Sequence, residues 1–270
     1  MKKMKTYISI LALGALALTF NACTDEPEWE PSPAQTEGIM AYIDIDIPTS
    51  YTYLPDDEQA FEITFGRQVS TEAATIHLTT EGDDVFTVPE TVDFAAGESE
   101  KTIKVTFDIP TGSSASIRIA LGEGETYLYG LTEQTFSVTR DYTWVDAGTA
   151  MYNDPTFTGQ TFDVAIQSAK EQPGLYRLVD LLEEGYHLQF ELDENYNAVS
   201  LLPVGALYTI ATGYDMLYDP ASYGSGYCFF TNEGSNFSLG YLFTDDGSSL
   251  YVGTGSFEWI EDYPGEEATE

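Results

Sequence analysis

The chain is poor in cysteine, histidine and positive charge, and each shortage excludes a class of chemistry. Cys23 and Cys228 are the only cysteines in 270 residues, and His77 and His187 the only histidines. Zinc needs His and Cys clustered at short spacing, so no zinc motif is present. Nucleophilic catalysis needs a base within hydrogen-bond reach of Ser or Cys. The sequence offers no G-x-S-x-G elbow, and Gly224-Ser225-Gly226 lies in a Tyr-rich stretch without the strand–turn–helix setting. His77 and His187 read as strand residues rather than bases. A G-x-x-x-x-G-K-S/T loop that would cradle phosphate is also missing. Ten Lys and Arg face 45 Asp and Glu, for a formal net charge of −35. Nucleic-acid affinity rests on basic side chains displacing counterions, so this balance excludes nucleic acid as a partner. It also argues against docking on an anionic membrane by charge. The acidic excess serves solubility outside the cell, with attraction of divalent cations as the alternative. So many carboxylates guarantee chance pairs, so paired acids give no evidence for glycoside hydrolysis.

An apolar segment long enough to cross a bilayer is missing at the N-terminus as well. Tyr7 to Phe20 spans 14 residues, against the roughly 20 that a membrane helix needs. It follows Lys2, Lys3 and Lys5 and precedes Asn21-Ala22-Cys23, the order of a secretory signal over residues 1–22. The small residue before Cys23 resembles the lipobox of bacterial lipoproteins, although Phe20 and Asn21 depart from the usual leucine and small residue. That resemblance implies cleavage before Cys23 and lipid on its thiol and amine, so the membrane is reached through the lipid. Cleavage removes three of the ten basic residues and no acid, leaving seven against 45 and a net charge near −38. It also leaves Cys228 without a disulfide partner. Tyr227-Cys228-Phe229-Phe230 is apolar, so Cys228 reads as a small buried hydrophobe. Residues 23–37 then read as the lipidated cysteine followed by a disordered acidic spacer with three prolines. Fully extended, its 14 residues after Cys23 reach about 45 Å. The acidic stretch resembles export tags of surface lipoproteins, which favours the outer face of the outer membrane over a periplasm-facing tether.

What the sequence has in quantity is aromatic and β-branched residues, with 19 Tyr and 15 Phe. Short alternating runs separated by turn residues predict an all-β protein. From 38 to 140 these runs are Ala41–Ile47, Phe61–Phe65, Thr75–Thr79, Lys101–Phe107, Ser116–Leu121 and Thr135–Thr139. Six or seven short strands without helical periodicity predict an Ig-like β-sandwich. Within it, Phe94, Gly97, Glu98, Lys101, Ile103 and Val105 match in order and spacing the centre of a Calx-beta-type sandwich, which the region 38–140 resembles. Calcium sites of that family use an acidic cluster after the strand bearing Ile103 and Val105. Here Asp108 is followed by Ile109-Pro110-Thr111-Gly112, a single acid and then neutral residues, so no cofactor is assigned and calcium is the alternative.

Residues 141–263 predict a second antiparallel β-domain, a sandwich or a barrel, with 264–270 as a disordered tail. Trp144–Gly148 and Gly174–Leu178 resemble the second module of uncharacterised Gram-negative surface lipoproteins. Strands are predicted at Thr161–Gln167, Gly174–Val179, His187–Leu192, Ala198–Leu202, Leu207–Ala211, Gly226–Thr231, Asn236–Phe243, Leu250–Gly253 and Ser256–Ile260. Leu178 to Glu184 suggests a single helical turn. Leu207–Phe230 reads as a long Gly/Pro-broken loop carrying Tyr208, Tyr214, Tyr218, Tyr223 and Tyr227 beside Asp215 and Asp219. Tyr rings stack on sugar faces while hydroxyls and carboxylates bond sugar hydroxyls. Tyr214, Tyr218, Tyr223 and Tyr227 are therefore the candidate ligand contacts, although tyrosine also suits half-buried sheets. No catalytic residue and no metal ligand is assigned. The sequence leads to a non-catalytic binding or scaffolding lipoprotein, with glycan or an outer-membrane complex as partner. Its alternatives are a calcium-rigidified adhesive module and a glycan-active enzyme.

Overall fold

A computed structural model of the chain describes residues 32–209, 213–244 and 250–265. The predicted signal peptide, Cys23, most of the spacer, the end of the tail and the Asp245-Asp246-Gly247 turn lie outside the described residues. The spacer's last residues are fastened to the fold: Gln35 Nε2 donates to Thr126 O at 2.9 Å and Leu128 N–H to Gln35 Oε1 at 2.7 Å.

The protein is all-β. Its first unit stacks two sheets, as the alternating runs require if each strand is to bury one face. One sheet orders β1 (Ala41–Ile43), β3 (Ala60–Arg67), β7 (Glu100–Phe107) and β5 (Phe86–Thr87) as β1-β3-β7-β5. The other runs β2 (Ser50–Tyr53), β9 (Glu133–Arg140), β8 (Ser113–Leu121), β4 (Ala74–Gly82) and β6 (Thr91–Phe94) in that spatial order. Pairing is antiparallel except for β2 on β9. Phe61, Ile63 and Phe65 from β3 meet Ile117, Ile119, Phe136 and Val138 in a dry core. The predicted strand Ala41–Ile47 stops at Ile43. The Asp44 carboxylate accepts the Asp46 N–H at 3.0 Å, and this local turn competes with the ladder.

The motif around Gly97 has a physical basis in this unit. Gly97 takes φ +87° in the tight turn between β6 and β7. The Glu98 carboxylate closes that turn by accepting from Ala95 N–H at 2.8 Å and Lys101 Nζ at 3.1 Å. Those bonds, Ala95 first, hold its pKa below the usual carboxylate range. Behind the turn lies Arg67, only 3% exposed, with its guanidinium 5.0 Å from the Phe94 ring centre. It donates to the carbonyls of Glu98, Glu72 and Ala95 at 2.7, 2.8 and 2.7 Å.

The second unit begins at Trp144 and is one antiparallel sheet of ten strands. Its first five strands are β10 (Trp144–Asp154), β11 (Gln160–Ala169), β12 (Leu175–Leu178), β13 (Leu188–Leu192) and β14 (Ala198–Leu202), a simple meander. Then come β15 (Gly205–Thr209), β16 (Asp215–Tyr218), β17 (Phe229–Glu233), β18 (Asn236–Thr244) and β19 (Tyr251–Glu261). β19 pairs with both β18 and β10, joining the first and last strands of the unit. One edge of β18 is shared: β17 takes Asn236–Gly240 and β16 takes Leu242–Thr244. The sheet curls into a nearly closed barrel. At the seam Asn232, on β17, bridges to the start of β14, accepting from Ala198 N–H at 2.8 Å and donating to Tyr196 O at 3.1 Å. Curling turns one face inward, where Tyr152, Ile166, Leu178, Phe190, Leu201, Phe237 and Phe257 are buried. Phe237 and Phe257 stack with centroids 4.6 Å apart. Cys228 is fully buried in the same core.

Three local expectations are corrected here. The helical turn at Leu178–Glu184 does not form. Asp180 adopts φ +51° and its carboxylate accepts the Gly185 N–H at 2.7 Å, which makes a loop instead. The two strands predicted at Leu250–Gly253 and Ser256–Ile260 are a single strand. Gly253 and Gly255 do not break it; their missing side chains give the rings of Tyr241 and Tyr152 room to lie across the sheet. The Tyr-rich stretch is not loop throughout. It contains β16 and a one-turn helix α1 (Pro220–Tyr223), started by Asp219, which accepts from Ala221 and Ser222 N–H.

Candidate ligand-binding cleft

A cleft of about 550 Å³ lies where the end of the sandwich meets the mouth of the barrel. That size falls within the range of small-molecule sites. Gly112 and Thr139 contribute from the sandwich, and Asp141 and Tyr142 from the junction. The barrel supplies Gln172, Arg177, Tyr186, His187, Gln189 and Tyr208. Gln172, Arg177 and Gln189 come from consecutive parts of the β11–β13 meander, so the ladder fixes their spacing.

Aromatic rings and hydrogen-bonding groups line the cleft together, and Trp144, which does not line it, packs against Arg177 and Tyr142. The Arg177 guanidinium stacks 4.3 Å from the Trp144 ring centre and its Nε donates to Gln167 Oε1 at 2.8 Å. Trp144 Nε1 donates to Asp141 Oδ1 at 3.0 Å, and Tyr142 packs edge-on against Trp144 at 5.7 Å. Tyr142 Oη donates to Gln172 Oε1 at 2.6 Å, and Gln172 Nε2 to Glu191 Oε1 at 3.1 Å. The backbone at Gly112 leaves no space for a side chain beside the Tyr142 ring, so this residue is held from both units. Also lining the cleft, Tyr186 and Tyr208 stack at 4.0 Å, and Tyr208 Oη bonds the Glu183 carboxylate. That bond raises the Tyr208 pKa. The Tyr186 hydroxyl is buried without a hydrogen-bond partner among the described residues, and burial pushes its pKa up, so it remains a protonated donor.

His187 is neutral in this setting. Burial first, then the Arg177 charge, lower its pKa, outweighing the raising effects of Asp180 and Asp141. The Asp180 N–H donates to His187 Nδ1 at 3.1 Å, so Nδ1 is the unprotonated nitrogen and the ring proton sits on Nε2. The 3.6 Å approach of the Asp180 carboxylate to Nδ1 is therefore not an ion pair. The cleft thus offers donors (Arg177, Gln189, His187 Nε2–H) beside acceptors (Asp141, Gln172) and flat aromatic faces.

The tyrosines expected to contact ligand do not line this cleft. Tyr214 is half-buried between Phe157 and Phe243 at 5.8 and 5.9 Å. Tyr218 is 3% exposed on the inward face of β16 and presents no ring to solvent. Tyr223 and Tyr227 are exposed around α1. Of the tyrosines in that stretch only Tyr208 lines the cleft, beside Leu207. Arg177 escaped sequence reasoning, although one signal was available: after Arg140 the chain has only two basic residues, Lys170 and Arg177. His77 sits on the sandwich, bonded through Nδ1 to Glu125 Oε1 at 2.7 Å. Among the described residues no group of three or more His, Cys, Asp or Glu is arranged to hold a metal ion.

No protein-family model matches the chain, and no curated protein matches it. Among solved structures it is similar to the crystal structure of CBD12 from CALX1.2, at 15% identity and a TM-score of 0.31. That alignment covers 83% of this chain and 76% of the other. It is also similar to the crystal structure of calcium binding domain CBD12 of CALX1.1, at 17% identity and a TM-score of 0.31, covering 83% and 77%. At that TM-score the likeness bears on no ligand, and the architecture rests on the strand order itself.

Proposed function

We propose that this protein is a lipid-anchored, non-catalytic binding protein of the outer membrane, facing the cell exterior, that captures glycan in the cleft between its two units. One observation carries the reading: donors, acceptors and aromatic faces converge on a single cavity sized for one or two sugar rings. Sugar hydroxyls both donate and accept, and sugar faces pack on aromatic rings, so a mixed wall of this kind suits them. Asp141 is engaged by Trp144 Nε1 and by the Tyr142 N–H, which supports a positioning acceptor rather than a general acid. The anchor rests on the residues before Cys23. Metabolic labelling with a palmitate analogue should tag the native protein and fail on Cys23→Ser, and labelling of that variant would remove the anchor from the reading.

Affinity electrophoresis of the folded chain against a panel of polysaccharides tests capture. At least one glycan should retard it, and Arg177→Ala should weaken retardation about tenfold, the equivalent of roughly one charge-assisted hydrogen bond. Failure of every glycan to retard the native protein overturns capture. Retardation unaffected by Arg177→Ala but lost with Tyr223→Ala or Tyr227→Ala overturns the cleft and moves the site to the α1 tyrosines.

A further inference from the structure

Glycans differ in charge as well as shape, and the charge around the cleft is as well defined as its rings. Among the described residues Arg177 is the only Lys or Arg lining it. The other described cations are committed elsewhere. Arg67 and Arg140 are bound to backbone carbonyls, as with Arg140 to Ile109 O at 2.9 Å. Lys101, Lys104 and Arg118 pair with Glu98, Glu58 and the Glu81/Glu133 pair on the sandwich. Lys170 lines a different hollow, beside Asp193 and Glu194.

Arg177, in contrast, already has negative neighbours. The charges of Asp141 and Asp180 act on it, and both act on His187. Glu191 is bonded to the lining residue Gln172, and Glu183 to the lining residue Tyr208. Of these four carboxylates Asp141 lines the cleft itself, and Asp180, Glu183 and Glu191 act on its lining residues, so a single guanidinium and a neutral imidazole stand in a negative surround. A ligand carboxylate or sulfate would meet no unbalanced cation there, and like-charge juxtaposition opposes its entry. A hydroxyl meets the same groups at no electrostatic cost.

Taking glycan capture in this cleft as given, we infer that the site selects uncharged sugars and rejects uronate and sulfated ones. The selectivity is local, set by Asp141 and Asp180 against Arg177, and not merely a result of the protein's overall charge. Both carboxylates can be replaced isosterically. Asp141 accepts from Trp144 and Tyr142, and Asp180 accepts from Gly185, through single oxygens that an amide retains.

The experiment is affinity electrophoresis of the full folded chain in gels containing neutral polysaccharides (xylan, galactomannan, mixed-linkage glucan) or acidic ones (polygalacturonate, alginate, chondroitin sulfate). About 0.5 M salt is included, where a screening length of a few ångströms removes whole-protein repulsion. Neutral gels should retard the protein at least about tenfold more strongly than acidic gels. The Asp141→Asn/Asp180→Asn double variant should shift that ratio toward the acidic gels. Near-ultraviolet circular dichroism reports whether its aromatic packing is intact. Equal or stronger retardation by acidic glycans overturns the inference, as does a ratio unmoved in a folded double variant. No retardation by either class overturns the parent reading of glycan capture instead.

Discussion

Replacing Arg67 with methionine should destabilise the sandwich by about 3–5 kcal/mol, because three backbone carbonyls lose their donor and each buried unsatisfied group costs about 1–3 kcal/mol. Methionine fills much of the volume and keeps contact with Phe94, so the loss isolates the hydrogen bonds. Three carbonyls, those of Glu72, Ala95 and Glu98, would lose their common donor. Two of them belong to the Gly97 turn that connects the two sheets, so the damage should spread to both. Arg67→Lys should recover only part of the stability, because one ammonium cannot present the planar fork that reaches three carbonyls. The measurement can separate the units. Residues 38–140 contain no tryptophan, whereas Trp144 and Trp259 belong to the barrel. In a denaturant titration the circular dichroism transition of the sandwich should move to lower denaturant, while the tryptophan emission transition of the barrel stays in place. An unchanged dichroism transition would refute the role given to Arg67.

Asp154→Ala should cost the barrel about 2–4 kcal/mol, since hydrogen bonds to a charged acceptor contribute more than neutral ones. Asp154 is fully buried at the end of β10. Its Oδ1 accepts from Thr156 and Phe157 N–H, both at 3.1 Å, and its Oδ2 from Thr158 N–H at 2.8 Å. This carboxylate therefore shapes the turn that sends the chain back along β11, and it delivers Phe157 onto Tyr214, Tyr241 and Phe243. Asp154→Asn retains one carbonyl oxygen and should cost about half as much. Here the tryptophan emission transition should shift and the sandwich transition should not. A shift of both together would show instead that the units unfold as one.

The legible part of this fold was its alternation. In runs such as Ser116–Leu121 every second residue is buried, and in Lys101–Phe107 every second residue is the less exposed one, because two-residue periodicity is local and the sandwich dries only one face. β10 gave no such signal despite its 11 residues. Asp146 to Thr149 contains a register shift, and Asp154 and Tyr152 are polar groups that point inward. β16 was hidden similarly, since Asp215-Met216-Leu217-Tyr218 is too short to show a period among glycines and tyrosines.

The candidate site was less legible than the fold. Abundant tyrosine drew attention to residues 214–227, yet composition cannot tell a ring that packs from a ring that binds. Tyr218 packs because it faces inward on β16, whereas Tyr227 is exposed in the turn that follows α1.

By itself the sequence determined the class of structure and the shortage of basic and nucleophilic groups, because strand periodicity and composition act locally or by simple count. Only tertiary structure decided where the few chemically versatile residues meet. Asp141, Gln172, Arg177, His187 and Tyr208 are spread over nearly 70 positions. They come together because the meander from β11 to β13 lays successive strands side by side, and because the curled sheet returns β15 to the same mouth. Such convergence depends on pairing register and sheet curvature, which are settled by long-range packing and leave no trace in neighbouring residues.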